Sequence, residues 1–305
     1  MINFGVFEVG MSKSGEIKNL SGLIKPHIGV ITNIGEAHIE NFRSVNGIAK
    51  AKSEIIENIC KGGTIILNRD DKFFNYLSKK AKSHKLKIFT FGHHKESDIQ
   101  VKKIIKKSDN SKILINFKNK TMNLEINDLN IYNVLASIAV LKVLNIDVDK
   151  IKGKLKDFES PEGRGKKYSI IRYKKKFNLI DESYNANPLS VKNAINKLNL
   201  IKKEKFKKYL ILGDMLELGS KSNKYHEKLS KVINNSDIDK VFIKGKKTIF
   251  TYKQLNKDKR GNILQENEDI DISLSEMISN NDYLMIKGSN ATGLHDFSKK
   301  MIKGI

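Results

Sequence analysis

Four short and almost wholly apolar runs in the second half of the chain limit its possible folds more than any other feature. Each run ends in a polar or glycine-containing turn, and helical patterns separate the runs, which are Asn178–Ile180, Tyr209–Leu212, Val241–Ile243 and Tyr283–Ile286. Short apolar runs of this kind are typical of buried strands in a parallel sheet. Because parallel strands end at one edge of their sheet, these turns should converge where doubly wound α/β folds bind ligands.

The first 160 residues or so alternate β-type runs with helical patterns, which predicts a mostly parallel sheet with crossover helices. We expect strands at Phe4–Val9, Ile28–Ile34, Thr64–Leu67 and Lys87–Phe91, and helices at Glu16–Ile24, Val45–Ile59 and Asp71–Ser83. Three β-rich runs between Asp98 and Ile126 predict an antiparallel edge to this sheet. Helices at Ile131–Leu144 and Asp149–Phe158 would close the unit.

A proline- and glycine-containing segment separates the two patterns. Residues 159–165 hold one of the three prolines of the chain together with two glycines, a composition typical of linkers. A length of 305 residues suits two domains with separate cores. The sequence therefore predicts one α/β domain over residues 1–163 and a second over residues 164–305.

The charge balance narrows the choice of partners. Lys and Arg total 57 against 34 Asp and Glu, a formal net charge of +23. Basic patches can bind nucleic acid, but lysine dominates here, is spread along the chain among many Asn and Ile residues, and accompanies no nucleic-acid motif. We expect a solvated basic surface that attracts anionic substrates, and no nucleic-acid partner.

Cysteine content and hydropathy suggest the compartment. The single cysteine, Cys60, excludes an intrachain disulfide framework and fits a reducing cytoplasm; because it ends an apolar helix face, we expect a buried structural thiol. No signal peptide is visible, and the longest apolar run, 134–144, is interrupted by Ser137 and Lys142. The chain is expected to be cytoplasmic and monomeric, without a membrane partner.

One lysine lies on the apolar side of a predicted helix. At helical spacing, Lys52 falls on an apolar stripe made of Val45, Ile48, Ala49, Ile55, Ile56 and Ile59. An ammonium group there must extend to solvent, pair or lose its charge. A neutral amine can take up carbon dioxide and become a carbamate, which is an anion that binds metals. Lys50 lies off the stripe and serves as the contrast.

His38 and Glu8 are two further candidate metal ligands. His38 follows the predicted strand Ile28–Ile34, and an imidazole beside a carboxylate-like group suits a divalent cation near phosphates; a capping or surface histidine is the alternative. Glu8 stands inside a predicted strand, either as a solvent-facing carboxylate or as a Mg²⁺ ligand. Five other histidines show no metal-ligand spacing and are expected at the surface: His84, His93, His94, His226 and His295.

Six segments occur in the order found in Mur ligases, a family that the chain resembles over nearly its whole length. They are FEVGMSKSGEI (7–17), TNIGEAHIE (32–40), GIAKAKSEI (47–55), DESYNANP (181–188), LGDMLELG (212–219) and KGSNATG (287–293). SYNANP makes the chain most similar to the MurF group. The resemblance implies part of a central ATPase domain, mostly parallel with an antiparallel edge, followed by a Rossmann-like C-terminal domain.

The resemblance also implies an activity, namely ATP-dependent joining of D-alanyl-D-alanine to UDP-N-acetylmuramoyl-tripeptide in peptidoglycan synthesis. In the family, ATP phosphorylates the tripeptide carboxylate and the dipeptide amine displaces phosphate from the acyl phosphate. Two Mg²⁺ ions assist: the residue matching Glu8 holds one, and those matching His38 and a carbamylated Lys52 hold the other. Lys52, His38 and Arg164 are therefore the catalytic candidates.

Nucleotide contacts are implied at the junction of the two predicted domains. Asn130 and Asn133 match asparagines near adenine, although helix capping is a strong alternative for both, and Leu129 stands where the family has a histidine. Arg164 matches an arginine that reaches the ATP phosphates, for which a permanently charged fork is suited. Asp181 matches a carboxylate on the ribose hydroxyls.

Substrate contacts are implied at two turns of the second domain. Asn187 and Pro188 suit the N-cap and first turn of a helix, which leaves Asn185 as the candidate for substrate or nucleotide. Lys287 and Ser289 follow a buried strand and open a helix, where an anion can be seated. Asn290 stands where many family members have an arginine.

No G-x-x-x-x-G-K-[ST] phosphate loop occurs in the 305 residues, and GRGKK (163–167) and KGKKT (244–248) lack its spacing. We therefore expect a chain that begins inside the central domain and whose activity by itself is doubtful. The alternatives are a non-catalytic remnant or binding module of the same fold, and another amide ligase of the superfamily, such as a MurE-like or folylpolyglutamate-type enzyme.

Overall fold

The computed structural model describes residues 4–106, 110–118, 120–127, 130–265 and 267–304. The chain forms two compact units, the first reaching to Glu159 and the second beginning at Ser160. The division falls within the segment 159–165 that was predicted as a linker. Both units are α/β, as expected, with mostly parallel sheets. Leu129, which stands where the family has a histidine, lies outside the described residues.

The first unit contains a six-stranded sheet with the order β1-β2-β3-β4-β5-β6. Its strands are β1 (Ile28–Ile31), β2 (Thr64–Asn68), β3 (Lys87–Gly92), β4 (Ile99–Lys106), β5 (Asn110–Phe117) and β6 (Lys120–Asn127). Strands β1 to β4 pair in parallel, and β4, β5 and β6 pair antiparallel. The predicted antiparallel edge is confirmed.

The helices of the first unit pack on this sheet. They are α1 (Glu16–Ile24), α2 (Ile39–Phe42), α3 (Val45–Lys52), α4 (Phe74–Ser83), α5 (Ile131–Val143) and α6 (Lys152–Asp157), with 3₁₀ turns at Ser53–Asn58 and Val148–Ile151. Helix α5 supplies Leu135, Ile138 and Ala139 to a buried cluster that also contains Phe91 and Leu124. Fully burying a side chain such as Leu135, Ile138 or Phe91 stabilises the unit by about 1.5–3 kcal/mol.

The strand predicted at Phe4–Val9 is wrong. Residues 4–10 have no regular secondary structure, and Val6 is 95% exposed. A strand needs a neighbour that accepts its hydrogen bonds, and in the described residues β1 pairs with β2 alone. An apolar run without a paired neighbour stays irregular.

Two other predicted elements end earlier than expected, each because a side chain takes over a backbone group. Strand β1 ends at Ile31 since the Asn68 side chain binds the carbonyl of Thr32, and the carboxylate of Asp71 binds the amide of Ile34. The helix predicted over residues 45–59 changes to a 3₁₀ turn at Ser53, whose hydroxyl donates to the carbonyl of Lys50.

The second unit contains another six-stranded sheet, with the order β11-β10-β9-β12-β8-β7. Its strands are β7 (Lys166–Arg172), β8 (Lys175–Glu182), β9 (Lys208–Gly213), β10 (Lys240–Lys244), β11 (Arg260–Leu264) and β12 (Tyr283–Lys287). Its helices are α7 (Pro188–Asn199), α8 (Ser222–Asn234), α9 (Thr248–Lys253), α10 (Asn267–Met277) and α11 (Leu294–Lys303). Three short 3₁₀ turns complete it, at Gly219–Lys221, Lys257–Lys259 and Asn290–Thr292.

Strands β8 to β12 of the second sheet are parallel, and only β7 runs antiparallel to its neighbour β8. The four predicted apolar runs form the central strands β8, β9, β10 and β12, and their terminal turns lie at one edge as expected. Leu284 and Ile286 of β12 pack with Leu274 of α10 and Phe297 of α11 in the core.

Burial corrects three further expectations. Cys60 is only half-buried, and its thiol donates to the carbonyl of Lys25 at 3.1 Å. His226 and His295, expected at the surface, are 0% and 6% exposed, because the packing of their helices covers them. Among the described residues, none of the helices has the length and hydrophobicity needed to cross a membrane.

Candidate active site

The loop after β1 is held in a defined shape by the turn that follows β2. The Asn68 side chain donates to the carbonyl of Thr32 at 3.1 Å, and Oδ2 of Asp71 accepts the amide of Ile34 at 2.7 Å. The other oxygen of Asp71 accepts the amide of Phe73 at 2.8 Å. One carboxylate therefore orders both its own turn and the loop that leads to His38.

Lys52 reaches this same loop from the end of α3. Its Nζ donates to the carbonyl of Asn33 at 3.1 Å, so a single peptide group, between residues 33 and 34, joins the lysine to Asp71. Burial lowers the pKa of the Lys52 amine, and the negative charge of Asp71 opposes that shift. Lys50 is exposed on the other side of the helix. Lys52 itself is half-buried, and its predicted catalytic and metal-binding roles stay predictions.

His38 and Glu8 lie on separate segments. His38 is half-buried at the start of α2 and has a left-handed backbone conformation, with φ of 54°. Glu8 is exposed in the irregular segment 4–10. Glu16, at the start of α1, has its carboxyl pKa lowered mainly by the backbone amides of Ser12 and Lys13 and, more weakly, by His38.

The described residues contain no group of three or more His, Cys, Asp and Glu side chains placed to hold a metal ion. Glu8 and His38 supply one carboxylate and one imidazole, and the Lys52 amine donates its hydrogens to a carbonyl rather than offering a lone pair. His38 and Lys52 fit a hard divalent cation only when Lys52 becomes a carbamate, which adds oxygen ligands. The lowered pKa of Lys52 favours the neutral amine that such a reaction needs.

The asparagines predicted near the nucleotide lie at the start of α5. The Asn130 side chain caps the helix by accepting the amide of Tyr132 at 2.9 Å, and Asn133 is exposed one turn later. The Tyr132 hydroxyl donates to Asp70 at 3.1 Å. Burial, followed by the charge of Asp70, raises the pKa of Tyr132 to about 12. Asn130 thus has the capping role that was the alternative to nucleotide binding.

In the second unit, Asp181 is fully buried at the end of β8. Its carboxylate accepts the amide of Gly163 at 2.8 Å and the hydroxyl of Ser183 at 2.5 Å. The Ser183 oxygen in turn lies 2.9 Å from Nδ1 of His295, which donates to it because the hydroxyl proton is directed at Asp181. Both carboxylate oxygens are occupied within the unit, so its role toward a ribose stays a prediction.

The backbone conformation and the close packing at position 163 require a glycine. Its φ of +71° is a conformation that side chains rarely adopt, and a Cβ would lie 2.6 Å from Cβ of Tyr184. Arg164, next in the chain, is exposed and places its guanidinium 4.6 Å from the centre of the Tyr184 ring. This cation–π contact holds the charged group of Arg164 beside the DESYNANP turn.

Lys287 lies at the end of β12, the strand next to β8, and is 3% exposed. Its ammonium group donates to the carbonyl of Asn185 at 2.7 Å and to the carbonyl and side chain of Glu182 at 3.3 Å each. Burial lowers the pKa of Lys287, which the charge of Glu182 opposes. The fold thus places a nearly buried cation against the turn that carries Asn185.

Ser289 and Asn185 complete this cluster. The Ser289 hydroxyl accepts the amide of Leu216 at 3.0 Å and lies 3.4 Å from the carbonyl of Ala186. The Asn185 side chain is exposed, and its oxygen accepts the amide of Ala186 at 2.7 Å. Asn187 caps α7 in a capping box with Ser190, as predicted. The turns after β8, β9 and β12 therefore meet around Lys287 and Ser289.

Sequence reasoning missed several residues that shape these sites. Asp71 follows an apolar strand in the segment NRDD, and Asp214 follows another in LGDMLELG, so both carried the same strand-end signal as Asp181. Oxygens of the Asp214 carboxylate accept the amides of Lys247 and Thr248. Ser183 and His226 carried no such signal, because their roles depend on distant residues.

Two family models match the chain. One described as the Mur ligase middle domain matches residues 1–141, and one described as the Mur ligase, glutamate ligase domain matches residues 168–290. Curated relatives named UDP-N-acetylmuramoyl-tripeptide–D-alanyl-D-alanine ligase include one from Bacillus subtilis, 32% identical over 98% of this chain, and one from Rickettsia prowazekii, 29% identical over 95%. The chain spans 64% of the length of each of these relatives.

Solved structures show the same fold. MurF from Acinetobacter baumannii superposes with a TM-score of 0.84 at 24% identity, over 96% of this chain and 63% of its own. MurF from Thermotoga maritima, in complex with ADP, superposes with 0.81 at 21% identity, over 96% of this chain and 65% of its own. With the two domain matches and the shared fold, the chain belongs to the Mur ligase family.

Proposed function

We propose that this chain supplies the middle and C-terminal domains of a MurF-like ATP-dependent ligase that joins D-alanyl-D-alanine to UDP-N-acetylmuramoyl-tripeptide. The observation that carries the proposal is the cluster around Lys287, where a buried ammonium contacts the SYNANP turn that distinguishes the MurF group. The names of the curated relatives and the ADP complex of one structural neighbour support it.

The proposed reaction has two steps. The tripeptide carboxylate attacks the terminal phosphorus of ATP, forming an acyl phosphate and releasing ADP. The amine of D-alanyl-D-alanine then attacks the acyl carbon, loses a proton and expels phosphate, which leaves an amide. Both steps move negative charge between oxygens, so fixed cations lower the barrier most.

Within this scheme the second unit binds and orients the dipeptide. Lys287 and Ser289 are proposed to contact its polar groups, and the exposed Asn185 amide to fix its backbone. Arg164, whose guanidinium is held over Tyr184, is proposed to reach the phosphates of ATP, and Asp181 the ribose. Asn130 and Asn133 are proposed to lie near adenine.

In the first unit Glu8 is proposed to hold one Mg²⁺, and His38 with a carbamylated Lys52 to hold a second. The two ions would neutralise phosphate charge during transfer. The chain's own contribution is the ordered loop of residues 32–38, which Asp71 and Asn68 hold beside the Lys52 amine. Burial lowers the pKa of that amine, which favours the neutral form that reacts with carbon dioxide.

A chimera tests the proposal. In it, this chain replaces the matching region of the Bacillus subtilis relative, and the rest of that relative is kept. We expect ADP release that depends on the tripeptide substrate, and a product whose mass corresponds to tripeptide plus D-alanyl-D-alanine. Circular dichroism establishes that the chimera is folded.

Three outcomes decide against the proposal. A folded chimera that makes no product would favour a non-catalytic remnant. A chimera that accepts a different amino acid in place of the dipeptide would favour another amide ligase of the superfamily. If Lys287→Met and the exposed Lys246→Met lost activity equally, the cluster around Lys287 would no longer support the proposal.

A further inference from the structure

His226 lies on α8 and is completely buried. Its Nδ1 lies 2.8 Å from the carbonyl of Ser222 and donates to it. Its Nε2 accepts the backbone amide of Met215 at 2.9 Å. Because one nitrogen must donate while the other accepts, these two contacts select a single tautomer of a neutral imidazole.

The amide that His226 holds belongs to the loop after β9, which contains LGDMLELG. Three consecutive residues of this loop are tied down. Asp214 accepts the amide of Ser289 through its carbonyl at 3.1 Å, Met215 donates to His226, and Leu216 donates to the Ser289 hydroxyl at 3.0 Å. The loop is therefore clamped between a histidine on one side and Ser289 on the other.

The helix carrying His226 is itself anchored. Thr251 of α9 donates from its hydroxyl to the carbonyl of His226 at 2.7 Å. The Asp214 carboxylate holds the start of α9 through the amides of Lys247 and Thr248. The loop, α8 and α9 are thus joined by hydrogen bonds. A change in the protonation of His226 should therefore move the loop and not the helix.

The charge state of His226 is set by its surroundings. Burial lowers the pKa of His226 below its usual 6.5; the carbonyl of Ser222 and the charge of Asp214 oppose that shift, while Lys247 adds to it. Protonation would place a hydrogen on Nε2, directed at the hydrogen of the Met215 amide. Two donors facing each other in a buried site cannot both be satisfied.

We propose that neutral His226 is a positioning residue, which holds the Asp214–Gly219 loop against Ser289 and releases it on protonation. The consequence for ligation rests on the proposed function, because it assumes that Ser289 contacts the substrate. The clamp itself does not depend on that assumption. Its substrate-side effect would be weaker dipeptide binding in acid, without a change in the residues that contact the dipeptide.

The sign of the pH dependence follows from linkage. A histidine whose pKa is lower in the folded than in the unfolded chain stabilises the fold fully above its unfolded value, which is 6.5 here. That contribution is lost as the pH falls through the folded pKa, because the unfolded chain then binds more protons. Opening of the loop should therefore increase in acid and not in base.

Amide hydrogen exchange on the full chain tests the clamp without any enzymatic assay. In the wild type, protection of the Met215 amide, corrected for intrinsic exchange, should fall about tenfold between about pH 8 and about pH 5. His226→Gln keeps an acceptor for Met215 but cannot be protonated, so its protection should be independent of pH. His226→Leu should lose about tenfold protection at every pH.

Controls separate the clamp from general destabilisation. His84→Gln, at an exposed histidine of the first unit, should leave Met215 exchange and its pH dependence unchanged. The amide of Ile211 in β9, fully buried in the sheet, should stay protected in all variants. If His226→Leu fails to fold, the comparison of wild type with His226→Gln still decides.

Equal pH dependence in the wild type and His226→Gln would overturn the proposal, as would unchanged Met215 protection in a folded His226→Leu variant. In the chimera, His226→Leu should raise the KM for D-alanyl-D-alanine about tenfold more than His226→Gln, with little change in kcat. A chimera without ligase activity but with pH-dependent Met215 exchange would reject the proposed function and leave the clamp standing.

Discussion

In the second unit, Lys287, Ser289 and the turn carrying Asn185 contact one another at the ends of paired strands, whereas in the first unit Glu8, His38 and Lys52 lie on three separate segments. The ladder between β8 and β12 sets the register of Lys287 against Glu182. No ladder in the described residues includes Glu8. Where a sheet supplies the geometry the candidate residues are brought together, and where it does not, single side chains such as Asp71 order the loops.

Substitution of Lys52 is expected to have the largest effect on ligation. If the first unit were only a scaffold, this substitution would have no effect and the comparison of the two units would fail. In the chimera, Lys52→Ala should lower ligation about a thousandfold, because it removes both the loop contact and the proposed metal ligand. Lys50→Ala, two residues away and exposed, should have no effect. Labelled bicarbonate should give a carbamate carbon signal in the wild type and in Lys50→Ala but not in Lys52→Ala. Equal losses in the two variants would contradict the assignment.

Lys287→Met tests the assembled site of the second unit. The variant keeps the length of the side chain but removes the ammonium that binds Asn185 and Glu182. We expect about a hundredfold lower ligation in the chimera, mainly in the KM for the dipeptide. Lys246→Met, at an exposed lysine after β10, is the matched control. A normal KM in folded Lys287→Met would show that the cation serves only the fold.

Asp181→Ala tests whether the Asp181 carboxylate stabilises the second unit or contacts a ligand. The change leaves the amide of Gly163 and the hydroxyl of Ser183 without their buried acceptor, which should cost about 3 kcal/mol. Exchange of the most protected amides of β8 should therefore accelerate about a hundredfold. Glu204→Ala, at an exposed residue of the same unit, should leave these rates unchanged. An unaltered β8 would show that the carboxylate is not structural and would favour the ribose role.

Substitution of Asp71 is expected to have the smallest effect. It tests directly whether a single side chain orders the loop after β1. Asp71→Ala should release the amide of Ile34 and accelerate its exchange about tenfold, while β1 and β2 keep their protection. Asp71→Asn retains a neutral acceptor and should recover most of the protection. If Asp71→Ala left Ile34 protected, the loop would owe its order to something other than this carboxylate. Glu40→Ala, at an exposed residue of α2, is the control.

Local patterns predicted much of the fold. Helix α1 spans the predicted Glu16–Ile24, and the four apolar runs of the second unit became its central strands. Strands β7 and β11 were missed because they lie at the two edges of the sheet. Edge strands are partly exposed, so β7 mixes lysines with apolar residues and lacks the continuous hydrophobic run of a central strand.

The order of motifs in the sequence determined the family, and helical spacing determined that Lys52 and not Lys50 faces inward. Tertiary structure alone decided which polar groups are buried and what they bind. His226 and His295 show this, since their contacts with Met215 and Ser183 join residues 11 and 112 positions apart. A hydrogen bond between distant residues leaves no periodic trace in the chain, because it depends on how whole elements pack and not on the spacing within any one of them.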